Sequence, residues 1–124
     1  MKPPIFVVVA SNSDILAFDS PARAERYVES IDVENGEYPH AFDSEGRLLA
    51  LEVERPTVHH KFLGLESVEL TPVRLVEQES KATHAEDLMS ALLAAFARVG
   101  EPGAHANAGM GDLVEEAFRR FRVR

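Results

Sequence analysis

"DVENGEYPHAFDSEG", residues 32–46, packs five acids, an Asn, a His and two glycines into one short stretch. It is either a metal loop or a pair of turns flanking a strand, and the choice decides whether the first half of the chain is built around an ion or a sheet. A calcium loop of the EF-hand type needs oxygen ligands at alternate positions, a Gly at the sixth and a Glu at the twelfth. Counted from Asp32, Gly36 falls at the fifth position, Asp43 at the twelfth, and "YPHAF" between them reads as a strand. Asn35-Gly36 tolerates positive φ, and Ser44-Glu45-Gly46 supplies a second turn. The stretch therefore reads as two turns around a strand, with no metal site.

Working outward, the neighbours agree. "IFVVVA" (residues 5–10) is a β-branched run of the kind that lies central in a sheet, and "ILAF" after "SNSD" returns as a hairpin arm. Ser20 and Pro21 open a helix as N-cap and first residue, with Ala24, Tyr27, Val28 and Ile31 on one stripe. "RLLALEVE" alternates, placing Leu49, Leu51 and Val53 on one face and Glu52 and Glu54 on the other. "TVHHKFLG" reads as a strand, and "SVELTPVRLVEQ" as one further strand with a bulge or an edge position at Pro72. The last third is helical. Thr83 and Glu86 form a capping-box pattern, with Met89, Leu92, Leu93, Phe96 and Val99 facing the core. "GEPGAHANAGMG" is a Gly-rich connection, and Asp112 caps a final helix carrying Val114, Ala117, Phe118 and Phe121.

These elements predict one α+β domain over residues 1–124. Its mostly antiparallel sheet has about five to six strands, one inserted helix and two C-terminal helices. With 45% apolar residues the chain can bury a core. It has no cysteine, which excludes disulfides, thiolate metal sites and cysteine nucleophiles and is compatible with a reducing cytoplasm. The apolar N-terminal run is too short for a signal segment, and no stretch is long enough to span a membrane.

Net charge is −8, unevenly spread. Arg119, Arg120, Arg122 and Arg124 crowd the C-terminus, leaving residues 1–118 with nine basic and twenty-one acidic residues, a net of −12. Such a body repels phosphate backbones and attracts basic proteins. The candidate contacts are acids on turns and strand faces: Glu34, Glu37, Asp43, Glu45, Glu52 and Glu54.

Chemistry-bearing motifs are sparse. His59 and His60 are adjacent and so point to opposite faces of a strand, while His40, His84 and His105 have no metal-ligand spacing. No serine has a nucleophile-elbow context, and the glycines of residues 100–111 lack the Lys of a phosphate loop. No cofactor is expected. Three readings stay open: a non-catalytic binding protein; a small enzyme or ligand-binding module using His59, His60 and one nearby carboxylate such as Glu52 or Glu54; and a domain that homodimerises through the Leu88–Val99 helix.

Residues 15–54, through "SPARAERYVESIDV", "NGEY" and "AFDSEGRLL", together with the later "THAEDLMSALLAAF", resemble small bacterial immunity proteins of polymorphic toxin systems. The resemblance implies a cytoplasmic protein that binds and blocks a toxin domain, and the acidic body points to a basic one. It rests on turns, caps and core positions, and carries over no contact residue.

Overall fold

The computed structural model describes residues 1–101 and 107–124. His105 and the middle of the Gly-rich connection lie outside the described residues. The fold is α+β, with a five-stranded antiparallel sheet in the order β2-β1-β3-β4-β7 and a separate two-stranded ribbon, β5-β6. β1 (Ile5–Val8) pairs with β2 (Ile15–Phe18) on one side and β3 (His40–Phe42) on the other. β4 (Leu48–Val53) joins β3 to the edge strand β7 (Val73–Glu77). The ribbon is β5 (Val58–Phe62) and β6 (Leu65–Glu69).

Both faces of the sheet are covered, which explains the unbroken apolar run of β1. Phe6, Ile15, Ala17 and Phe42 point to one side, where they pack with Leu88, Leu92, Phe96, Leu113 and Ala117 from α3 (Ala85–Arg98) and α4 (Met110–Phe121). Ile5, Val7, Phe18, Ala41, Leu49 and Leu75 point to the other, where Ala24 of α1 (Pro21–Tyr27) joins them. Each strand thus feeds two cores by its period of two. The sheet edges are partly closed: Glu25 of α1 accepts from the Leu75 N–H (2.9 Å), and the Val123 N–H reaches the Ala17 carbonyl on β2 (2.8 Å).

Four expectations are corrected. The single inserted helix is two, α1 and α2 (Ser30–Glu34), separated by extended backbone at Val28 and Glu29. The break lets Val28 and Ser30 both turn inward, which a continuous helix would not allow. The long strand around Pro72 is also split: β6 belongs to the ribbon and β7 to the main sheet, because Thr71 is buried between them. Thr83 does not cap α3; its hydroxyl is engaged by Glu79, and His84 occupies the N-cap position. Asp112 lies in the first turn of α4, whose N-cap is Gly109.

The opening stretch is two turns, each with a distinct job. Asn35-Gly36 closes α2: the Gly36 N–H bonds the Val33 carbonyl and the Glu37 N–H bonds the Asp32 carbonyl, with Gly36 at φ +74°. Asp43–Arg47 turns β3 into β4, with Gly46 at φ +88°. A Cβ at Gly46 would lie 2.4 Å from the Ala85 Cα, so this turn sits directly on the first residue of α3. The His84 N–H donates to the Gly46 carbonyl at 2.9 Å and seals the junction. Among the described residues no helix is long and apolar enough to cross a membrane.

Candidate functional site: an exposed hairpin arm

Between β4 and β7 the chain leaves the sheet. Among the described residues, β5 and β6 pair only with each other, in the register Val58↔Glu69 to Phe62↔Leu65. Every residue from Val58 to Leu70 is exposed. An isolated two-stranded ribbon is marginal in water, so something must hold this one.

The hold is at the root, and it is polar. Thr57 and Thr71 flank the ribbon, and Ser30 from the start of α2 lies between them; all three are buried. The Thr71 N–H donates to Ser30 Oγ (3.1 Å), and Ser30 Oγ lies 2.7 Å from Thr57 Oγ1. The Thr57 hydroxyl and N–H both donate to Glu34 Oε1, at 2.8 and 2.7 Å. Because the Thr57 proton goes to a carboxylate, Ser30 must donate to Thr57, and the chain of donors runs from Thr71 to Glu34. The Thr57 backbone and hydroxyl bonds hold the Glu34 carboxyl below its ordinary value. The Thr71 hydroxyl bonds the Arg55 carbonyl at 2.6 Å, tying the two legs of the root together.

The tip is the opposite in character. Phe62, Leu63 and Leu65 are 74, 87 and 76% exposed. Leu63 and Gly64 form the turn, both at positive φ (+52° and +78°), as a two-residue hairpin loop of this hand requires. Gly suits that conformation. For an ordinary L-residue it costs about 1–2 kcal/mol, and Asn or Asp tolerates it better than Leu. Leu63 is therefore unfavourable for its backbone and for its hydration together.

Charge rings the arm. From residue 52 to 69 the chain carries Glu52, Glu54, Glu66 and Glu69 against Arg55 and Lys61. Glu54 pairs with Arg74 of the neighbouring strand at 2.8 Å. At the arm's root, Tyr27, Leu70 and Pro72 line an open hollow of about 510 Å³ with Glu25 and Arg26.

The six acids proposed as contacts stand in different settings. Glu34, Glu45, Glu52 and Glu54 are exposed, with Glu34 also accepting from Thr57 at the arm's root, while Glu37 is half-buried and accepts from Ser11. Asp43 is corrected outright: it is fully buried. Its oxygens take the N–H groups of Lys2, Glu45 and Arg47 and, at 2.5 Å, the Arg47 guanidinium. Burial raises its pKa, and those three backbone bonds and Arg47 outweigh that, leaving it below its ordinary value. The acid that reads as a surface turn is the buried clamp of that turn.

His59 and His60 lie on opposite faces of the ribbon. His59 sits 3.5 Å from Glu66 and His60 3.5 Å from Glu69, so their neighbours are these acids and not Glu52 or Glu54. Both side chains are exposed, and neither lines the hollow at the arm's root. Among the described residues, no three His, Asp or Glu side chains gather as metal ligands. The large side chains of α3 point into the core, and its exposed positions are Glu86, Asp87, Ser90, Ala94, Ala97 and Arg98. The helix lacks the large apolar face that a homodimer there would need.

Sequence reasoning passed over Phe62, Leu63 and Leu65. The available signal was Leu63-Gly64, a turn pair between two period-two runs. Read as the tail of a strand, it hid both the turn and the exposure. A scan of protein-family models found no match, and neither the curated proteins nor the solved structures returned a similar chain.

Proposed function

We propose that the chain is a non-catalytic cytoplasmic protein that binds a basic protein partner through the β5–β6 arm. The tip residues Phe62, Leu63 and Leu65 enter an apolar pocket of the partner, and Glu52, Glu54, Glu66 and Glu69 meet Lys and Arg around its mouth. The observation that carries this reading is Leu63, a leucine held at positive φ and almost fully in water. Charge complementarity selects the partner's sign, since the body outside the C-terminal arginines is strongly acidic. The resemblance of residues 15–54 to immunity proteins makes a toxin domain the natural partner class.

The test uses the purified product of the neighbouring gene and three forms of this chain: wild type, Leu63→Asn, and Phe62→Ser/Leu63→Asn/Leu65→Ser. Asn suits the turn better than Leu, so the single variant should melt at or slightly above the wild-type temperature. It should nonetheless bind at least about tenfold more weakly, the loss of one well-buried leucine. The triple variant should not bind. Equal binding by all three forms would remove the arm from the interface. A wild-type dimer that becomes monomeric in the triple variant would assign the arm to a second copy instead.

A further inference from the structure

A second hollow, of about 420 Å³, opens between the sheet and the first turns of α3. Its apolar walls are Val8, Phe42, Leu48 and Ala91, and its polar groups are His40, His84 and Asp87. The volume falls in the range of small-molecule sites.

The neighbours of His84 set which nitrogen carries the proton in its neutral ring. Glu79 Oε1 lies 2.9 Å from His84 Nδ1 and also accepts the N–H groups of Leu48 (3.0 Å) and Thr83 (3.2 Å). The Thr83 hydroxyl donates to the other Glu79 oxygen. Led by that hydroxyl bond, these contacts hold the Glu79 carboxyl down to about 2, so it is an acceptor only at neutral pH. The Nδ1 of a neutral His84 must then carry the proton, and Nε2 is left as a lone pair. The Asp87 side chain lines the same hollow. Among the described residues no Lys or Arg lines the hollow, and Asp87 on its wall and Glu79 behind His84 give its polar side negative charge.

We infer that this hollow binds a small amphipathic cation, a primary amine bearing a ring or short branched chain. The ammonium donates to Asp87 and to Nε2 of His84, and the apolar body lies against Phe42, Leu48 and Ala91. Anions are refused by the surrounding carboxylates, and neutral rings lack the donors that the acceptors need. This site is independent of the arm and of its partner.

The experiment is a titration of the full-length protein followed by backbone amide and histidine-ring resonances. The probes are benzylamine, benzyl alcohol, benzoate and Nα-acetyl-lysinamide. Benzylamine should shift Phe42, Leu48, Ala91 and the His84 ring saturably, with a Kd on the order of 1 mM for so small a ligand. Benzyl alcohol should bind about tenfold more weakly, and benzoate should leave these resonances unmoved. Asp87→Asn, an exposed change, should weaken benzylamine about tenfold, and Ala91→Leu should abolish the response by filling the hollow. Equal shifts from benzylamine, benzyl alcohol and benzoate, or none from benzylamine, would overturn the assignment, as would an unchanged response in Asp87→Asn. Tighter binding of the acetyl-lysinamide than of benzylamine would reassign the hollow to a partner's lysine side chain.

Discussion

Ser30 and Thr57, twenty-seven residues apart, share a buried hydroxyl–hydroxyl bond of 2.7 Å at the root of the arm. One belongs to the first residue of α2 and the other to the residue before β5. That bond, continued to Thr71 and Glu34, fixes the ribbon's root to the body.

Removing either hydroxyl should therefore loosen the arm before it unfolds the chain. Ser30→Ala leaves the buried Thr71 N–H without its acceptor, and Thr57→Val leaves Ser30 without one; each should cost about 1–3 kcal/mol. The double variant should cost less than the sum of the singles, because both act on one chain of bonds. Hydrogen exchange is the sharper measurement. Amides of β5 and β6 should lose more protection than those of β1, and uniform loss across the molecule would refute a local latch.

Gly46 and Gly36 offer a matched pair. Both have positive φ, but nothing lies within 4 Å of a Cβ at Gly36, whereas one at Gly46 collides with the backbone of Ala85. Gly36→Ala should cost about 1–2 kcal/mol, the conformational term alone. Gly46→Ala adds displacement of the α3 start and should cost at least about 2 kcal/mol more, or prevent folding. Chemical denaturation of the two variants side by side measures the difference; equal costs would mean the junction yields freely.

Acid should destabilise the fold through carboxylates whose pKa values are depressed. Glu79 is lowered from 4.5 to about 2, and Glu34 and Asp43 are lowered too. A folded-state pKa below the unfolded one means that the folded state binds its proton more weakly. The stabilisation is then complete above the unfolded value and is lost as pH falls through the folded one. The melting temperature should hold from pH 7 to about 5 and decline between about 4.5 and 2. Glu79→Gln should melt lower than wild type at pH 7, with the gap closing toward pH 2. A gap that stays constant across the range would show that the charge of Glu79 contributes nothing.

Exposed acids near the arm should act on association more than on folding. Glu52→Lys/Glu54→Lys exchanges two solvent-facing groups and breaks one exposed pair with Arg74, so stability should change by about 1 kcal/mol or less. Association with the proposed basic partner should slow, and the difference from wild type should shrink as salt rises. Stopped-flow measurements at two salt concentrations decide it; a salt-independent defect would place these acids outside the encounter surface.

What the sequence made legible was whatever repeats along one element. The double-sided burial of β1, the Ser20-Pro21 helix start and the alternation of β4 each follow from residues close together in the chain. The arm's root does not. Ser30, Thr57 and Thr71 are ordinary polar residues whose burial arises only when three distant segments meet, and no periodicity reports it. Asp43 misleads for the same reason: its context is that of a surface turn, but Lys2 brings a backbone donor from the N-terminus to meet it. Leu63 was concealed by hydropathy itself, since an apolar residue ending a strand pattern is ordinarily assigned to the core.

β4 and β7 pair directly over five residues, from Leu49↔Glu77 to Val53↔Val73, although nineteen residues separate Val53 from Val73. The arm is thus an excursion inserted between two strands that would be neighbours without it. A short loop in its place would leave a plain meander, with both cores and all five strands of the main sheet intact. If the arm binds as proposed, recognition is a cassette: the tip can change length, sequence or target while the frame stays constant. Related chains would then differ most between residues 55 and 72, and a foreign ribbon grafted there with Thr57 and Thr71 retained would inherit the same mounting.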